Sequence, residues 1–259
     1  MSNILDRYGI KEVADVTFYE IVDGQPGKPV LYLDTLKVSN IEQTAENTSA
    51  RGGKGNPELI MWDYGKEITV TLEDALFSPR SMAMMYGVDD SELDENGNLR
   101  ETEYVLKTVK IADYDSTATA FKINGQSVKV YKKGDNGTYT AGAELFKATG
   151  ESATDTTDAV YAKGYIKIAD GGTEIVISAD KFPGTYYVTG DTYARSEANG
   201  TDEFFQFVLP KAKMQSEVTL TMEAEGDPTT FNMTLKVLRP EDGEMMKLIK
   251  YNLPESSTN

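Results

Sequence analysis

Between Glu92 and Glu103 the chain carries oxygen donors at a spacing that suits a hard cation. Placing Gly97 at the sixth position of a twelve-residue calcium loop puts Asp94 and Asn96 at the third and fifth positions and Glu103 at the twelfth. Two features oppose that reading. The first position is Glu92 where Asp is usual and the ninth is Arg100, and the following Tyr104-Val105-Leu106-Lys107-Thr108-Val109 predicts a strand where a calcium loop needs a helix. Asn96-Gly97 alone accounts for a hairpin turn. Calcium at Glu92, Asp94, Asn96 and Glu103 is therefore the weaker reading. A second cluster, Arg51-Gly52-Gly53-Lys54-Gly55-Asn56, sets glycines beside cations as anion-binding loops do. It lacks the G-x-x-x-x-G-K-[ST] order, and the strand-like Leu59-Ile60-Met61-Trp62 after it offers no helix N-terminus to a phosphate. On a strongly anionic chain this cationic patch fits better as a basic arm that docks on an acidic neighbouring subunit. Carboxylate pairs such as Glu223/Glu225 and Asp89/Asp90 are too numerous to single out a glycosidase pair, and the tyrosines are scattered instead of lining a sugar cleft.

The missing residue types narrow the field further. The 259 residues include no His and no Cys, which excludes imidazole and thiolate metal sites, the Ser-His-Asp triad, a Cys nucleophile and a His general base. No cofactor is expected, and the chain reads as a non-enzyme. With 26 Lys and Arg against 42 Asp and Glu, the net charge of −16 opposes tight wrapping of a phosphate backbone, whose affinity comes from cations. No basic-then-apolar leader opens the chain and no apolar run reaches membrane-spanning length, so neither export nor membrane insertion is expected.

The elements that hold these residues show period-2 alternation above all. In Lys66–Leu72, Ile68, Val70 and Leu72 take one face and Glu67, Thr69 and Thr71 the other. Glu217–Glu225 repeats the scheme with Val218, Leu220, Met222 and Ala224 inward. Gly226-Asp227-Pro228 then signals a turn into Phe231–Val237, predicting a long hairpin. Further strands are predicted at 15–22, 30–39, 59–63, 174–178, 185–189, 203–209 and 245–251. Phe204–Leu209, apolar on both faces, belongs between two layers. Ser78-Pro79 starts the best helix candidate, running to Gly87, with Leu72–Phe77 as an alternative helical turn. Residues 88–172 are bracketed by polar stretches and lack the Thr/Glu alternation, so they read as an inserted β-rich module in a discontinuous main domain formed by 1–87 and 173–259.

The Thr/Glu faces carry the functional reading. Taken singly each is an ordinary wet face of an antiparallel sheet. Shared by several strands, small, polar and anionic side chains suit the lining of an aqueous pore through which polyanionic DNA slides without sticking. The candidates are Glu67, Thr69, Thr71, Glu217, Thr219, Thr221, Glu223, Asn232 and Thr234.

Three segments, Arg51–Pro79, Glu203–Met214 and Val218–Pro240, resemble the major tail or tail tube proteins of long-tailed bacteriophages. The resemblance implies a mainly β fold, an antiparallel β-sandwich with one short flanking helix, whose strands join a hexameric inner β-barrel. It implies rings that stack into a virion tail tube conducting DNA during ejection, assembled in the host cytoplasm. The implied partners are further copies of the chain and other tail proteins, with DNA passing through unbound and no membrane. By the same likeness, residues 40–56 are the inter-ring loop and residues 1–9 and 253–259 are terminal arms. The module at 88–172 exceeds what a minimal tube subunit needs. An alternative from the residues alone is an Ig-like surface adhesion or carbohydrate-binding β module.

Overall fold

The computed structural model describes residues 7–10, 12–88, 99–110, 113–115, 120–141, 161–198, 200–220, 222 and 229–252. The chain opens with β1 (Tyr8–Ile10), β2 (Asp15–Val22), β3 (Gln25–Leu33), β4 (Leu36–Arg51) and β5 (Glu58–Asp74), then helix α1 (Pro79–Met85). Next come β6 (Glu101–Lys110), β7 (Tyr114–Asp115), β8 (Ala120–Ile123), β9 (Gln126–Val128), β10 (Val130–Lys133), β11 (Tyr139–Ala141) and β12 (Tyr161–Thr173). The last strands are β13 (Thr185–Ser196), β14 (Asp202–Met214), β15 (Phe231–Val237) and β16 (Lys247–Tyr251). The chain divides into two compact units, Met1–Glu92 with Ile175–Asn259, and Leu93–Glu174.

In the first unit the strands pair antiparallel in the order β3-β2-β13-β14-β15-β5-β4, with β1 added to β13 and β16 to β14. The path ends at β3 and β4 without closing into a barrel. β14 is the fork. One of its edges pairs with β13, while the other offers Phe204–Val208 to β16 and Ala212–Met214 to β15. A strand shared in this way needs apolar side chains on both faces, and Phe207, Val208 and Leu209 are buried in succession. Alternation on the flanking strands then sends Val16 and Phe18, Ile68, Val70 and Leu72, and Met233, Leu235 and Val237 into one cluster. Each such side chain contributes about 1.5–3 kcal/mol by leaving water. The mainly β fold expected from the sequence is the one observed, with a sandwich-like core and, among the described residues, one flanking helix.

Helix α1 forms where its caps dictate. The Ser78 hydroxyl accepts a bond of 3.0 Å from the Ser81 amide, and the Ser81 hydroxyl accepts one of 3.0 Å from the Ser78 amide, a capping box with Pro79 just inside. At the other end Gly87 adopts φ +81°, and the Gly87 and Val88 amides donate to the Met84 and Ala83 carbonyls. That double closure ends the helix, and Met84 and Met85 dock into the cluster. The strand before it runs to Asp74 instead of turning helical at Leu72. The buried Asp74 carboxylate accepts bonds from the Thr35 hydroxyl at 2.5 Å and the Leu76 amide at 3.3 Å.

The second unit holds two small antiparallel sheets, β11-β10-β12-β6 and β7-β8-β9. Phe121 and Val130 are buried against Ile123 and Ile166. Tyr104 stacks on Tyr139 with centroids 3.7 Å apart, and Tyr131 and Tyr165 meet this pair edge-on at 5.5 and 5.2 Å. Tyrosines that look scattered along the chain thus form one cluster.

Four strand expectations need correction. The stretch 30–39 is broken at Asp34-Thr35, where β3 turns into β4. The runs 59–63 and 66–72 are one strand, because the ladder with β4 continues past Gly65. Residues 174–178 lie beyond β12, whose pairing closes with the Glu174 amide on the Arg100 carbonyl. Of the hairpin expected at 217–237, the described residues show the second strand, β15. Residues 217–220 and 222 are not strand, and Leu220 and Met222 are 38% and 83% exposed. Alternation gives a segment one apolar face but supplies neither the edge that pairs it nor the surface that covers it.

Candidate assembly surfaces

The polar side of β5 is shared by its neighbours. Register sets Thr234 of β15 opposite Thr71, Lys236 opposite Thr69 and Asn232 opposite Glu73. On the other edge β4 sets Asn40 opposite Thr71, Glu42 opposite Thr69 and Thr44 opposite Glu67. Directly opposed residues of an antiparallel pair share a face. Glu67, Thr69, Thr71, Asn232 and Thr234 therefore lie together on a three-strand polar surface. Glu217 and Thr219 sit in the non-strand segment after β14, and no ladder brings them to it. Thr221 and Glu223 fall outside the described residues. Sequence reasoning missed the β4 residues and Lys236, whose Nζ lies 2.8 Å from Glu67 Oε1. The alternation of Phe231–Val237 already put Lys236 on this side, so the face is mixed in charge and not uniformly anionic.

Residues 40–56, expected as a loop, are instead the far part of β4 and a tight turn. β15 pairs with β5 only from Thr69 to Asp74, whereas the β4–β5 ladder runs out to Arg51 opposite Glu58. A bare two-stranded ribbon therefore extends beyond the sheet. Its tip is ordered by the Gly52 amide on the Pro57 carbonyl at 3.2 Å and the Asn56 amide on the Gly53 carbonyl at 3.1 Å. Of the tip residues Arg51, Gly52, Gly53, Lys54, Gly55 and Asn56, Arg51 is held by Glu58 at 3.0 Å within the same ribbon. Lys54 is exposed and has no ion pair among the described residues. Behind the tip Leu59, Ile60, Met61, Trp62 and Tyr64 are each at least 52% exposed. The expected arms are only partly described: Tyr8 and Gly9 pair with β13 as part of β1, while residues 1–6 and 253–259 fall outside.

A groove of about 590 Å³ is lined from β1, β2, β13 and the segment between β1 and β2, with Val13 and Tyr193 beside the carboxylates of Glu12, Asp15 and Asp191. Asp15 and Asp191 stand directly opposite in register, a like-charge pairing that weakens a sheet. Asp191 Oδ1 accepts bonds from Gln206 at 2.9 Å and the Tyr251 hydroxyl at 3.1 Å. Burial, and then that bond, raises the Tyr251 hydroxyl above its ordinary pKa. Tyr32 is raised by partial desolvation and by the charges of Asp15 and Asp34. Among the described lining residues the cation is Arg195, and it is committed to Asp202 through bonds of 2.6 and 2.7 Å, which hold the Asp202 carboxyl below the usual range.

Among the described residues no three His, Cys, Asp or Glu side chains form a group able to hold a metal ion. Glu103, on β6, has its Oε2 3.8 Å from Lys167 Nζ, and the other calcium candidates, Glu92, Asp94 and Asn96, fall outside the described residues. Among those residues no helix is long and apolar enough to cross a membrane.

A tail tube protein of Bacillus phage SPR is 25% identical over 252 residues, covering 93% of this chain and 87% of that protein. The profile of the YomU/Tube protein family matches residues 8–250, nearly the whole chain. The resemblance to phage tail tube proteins seen in the sequence is thereby borne out, and the chain belongs to the YomU/Tube protein family.

Proposed function

We propose that this chain is the structural subunit of a phage tail tube, in which six copies close a ring and rings stack into a conduit for DNA. The β4–β5 ribbon carries the reading. It is a long, hydrogen-bonded extension with exposed large apolar side chains and an open β4 edge, and such a surface favours association with another chain that covers it. Ring closure removes open edges, and stacking covers the ribbon. The name of the SPR relative and the family match support the same role. In the ring, Glu67, Thr69, Thr71, Asn232 and Thr234 face the lumen, where short polar and anionic side chains keep phosphates moving. Glu217, Thr219, Thr221 and Glu223 join them once their segment pairs with a neighbour. The ribbon makes the contact between rings, Arg51 to Asn56 at its tip, and the terminal arms reinforce it. The inserted module, residues 88–172, decorates the outside.

Sedimentation and negative-stain microscopy across protein and salt concentration test this directly. Rings and tubes are expected. A chain that stays monomeric throughout, with no tube seeded by a tail-tip complex, overturns it.

A further inference from the structure

We propose that the groove lined from β1, β2 and β13 receives the tip of the β4–β5 ribbon of a second copy of this chain. The inference rests on the self-assembly reading above and names the surface that takes the ribbon. Three observations converge on it.

The first is charge. Glu12, Asp15 and Asp191 leave the groove acidic after Arg195 is spent on Asp202, and among the described residues no cation pairs with Asp15 or Asp191. The ribbon tip carries Lys54, which has no ion pair among the described residues, and Arg51 in an exposed pair with Glu58. On a chain of net charge −16, a cationic tip and an anionic groove are complementary surfaces that steer copies together despite overall repulsion. The second is apolar surface. Val13 and Tyr193 are exposed at the groove, matching the Leu59 and Ile60 side chains just behind the tip. The third is order. The tip is already fixed by its two backbone bonds, so docking costs little chain entropy.

Tip and groove are different patches of one chain, which makes the contact heterologous: every copy keeps one of each free for the next. Such a contact propagates, as a ring or a stack requires.

Charge exchange tests the pairing. Arg51→Glu with Lys54→Glu should raise the protein concentration needed for assembly about tenfold or more, since each reversal turns attraction into repulsion. Glu12→Lys with Asp15→Lys should do the same, and the two sets combined should restore assembly. Asp191 is left alone because its bonds to Gln206 and Tyr251 support the fold. Since the chain has no Cys, Lys54→Cys with Val13→Cys gives a second readout, an intermolecular disulfide formed in assemblies and not in monomers. If the tip variant fails to assemble while the groove variant assembles normally and no cross-link forms, the groove is not the receiver, although the ribbon still drives assembly. If the tip and groove variants both assemble as the unaltered chain does, this pairing is overturned and self-assembly stands. An unaltered chain that never assembles overturns both.

Discussion

The two halves of β5 share one partner strand and one ladder, yet they live in different surroundings. From Ile68 to Asp74 buried and half-buried positions alternate, while from Glu58 to Glu67 every position is exposed. β4 runs beside both halves. What differs is the third strand. β15 covers the second edge of β5 only from Thr69 onward, and the core lies under that half alone. The composition follows suit: Ile-Thr-Val-Thr-Leu alternates, while Leu59-Ile60-Met61-Trp62 is apolar on both faces. Hydrogen bonds keep a ribbon a ribbon, but a two-stranded hairpin is marginal in water without a packed face. The far half is built for cover that the single chain does not provide.

Truncation should separate the halves most sharply. Leu72→Ala should lower monomer stability by about 2–5 kcal/mol, because a fully buried leucine leaves a cavity that collapses only in part. Trp62→Ala should change monomer stability by no more than about 0.5 kcal/mol and yet abolish or strongly weaken assembly, since 52% of its surface is open for a second copy to cover. Denaturant titration and sedimentation read the two effects. Equal monomer destabilisation by both would erase the distinction.

Glycines give a contrast of intermediate size. A Cβ on Gly190 would lie 2.1 Å from Phe207 Cζ, its ring packed over the opposite strand position, whereas a Cβ on Gly52 at the tip meets nothing nearer than Leu59 Cδ1 at 3.5 Å. Gly190→Ala should cost about 1–3 kcal/mol as Phe207 is forced from its place. Gly52→Ala should be near neutral in thermal or denaturant unfolding, and a large loss there would mean that the ribbon is packed in the monomer after all.

Which features the sequence disclosed follows the same division. Where a strand packs on the core of its own chain, period 2 is decisive: Ile68, Val70, Leu72, Met233, Leu235 and Val237 were legible, as were the Ser78-Pro79 start of α1 and the double-faced Phe204–Leu209 run. Asn40–Asn56 was not legible as a strand, because Ile41 is its one large apolar residue, and only its ladder to β5 makes it extended. Glu217–Glu225 misled for the opposite reason. Its alternation is the clearest in the chain, but among its described residues no neighbouring edge pairs with it. The Asp15–Asp191 juxtaposition joins residues remote in sequence and leaves no local signal. The polar face was half visible, since alternation names which side a residue takes but not which strands lie beside it.

The smallest expected difference concerns two ion pairs of similar chemistry placed in the two halves. Lys236–Glu67 bridges β15 and β5 at 2.8 Å, at the margin of the covered half, and Arg51–Glu58 closes the tip at 3.0 Å. All four side chains are substantially exposed, so each pair should be worth between about 0.2 and 1 kcal/mol, falling with salt. The inner pair joins strands that the core already holds in register, so its geometry comes at little extra ordering cost. The tip pair joins two strands that have only their own ladder and turn to hold them, with no core beneath, so part of its attraction is spent on keeping them together. Double-mutant cycles with alanine in the monomer should therefore give a coupling for Lys236–Glu67 at the upper end of this range and one for Arg51–Glu58 near its floor. In assembled material the order should invert if the tip is seated in a neighbour, because a desolvated Arg51 then gains what an exposed one cannot. A tip coupling that stays near zero in both states would show that Arg51 remains in water after assembly, leaving Lys54 and the apolar residues behind it to make the contact.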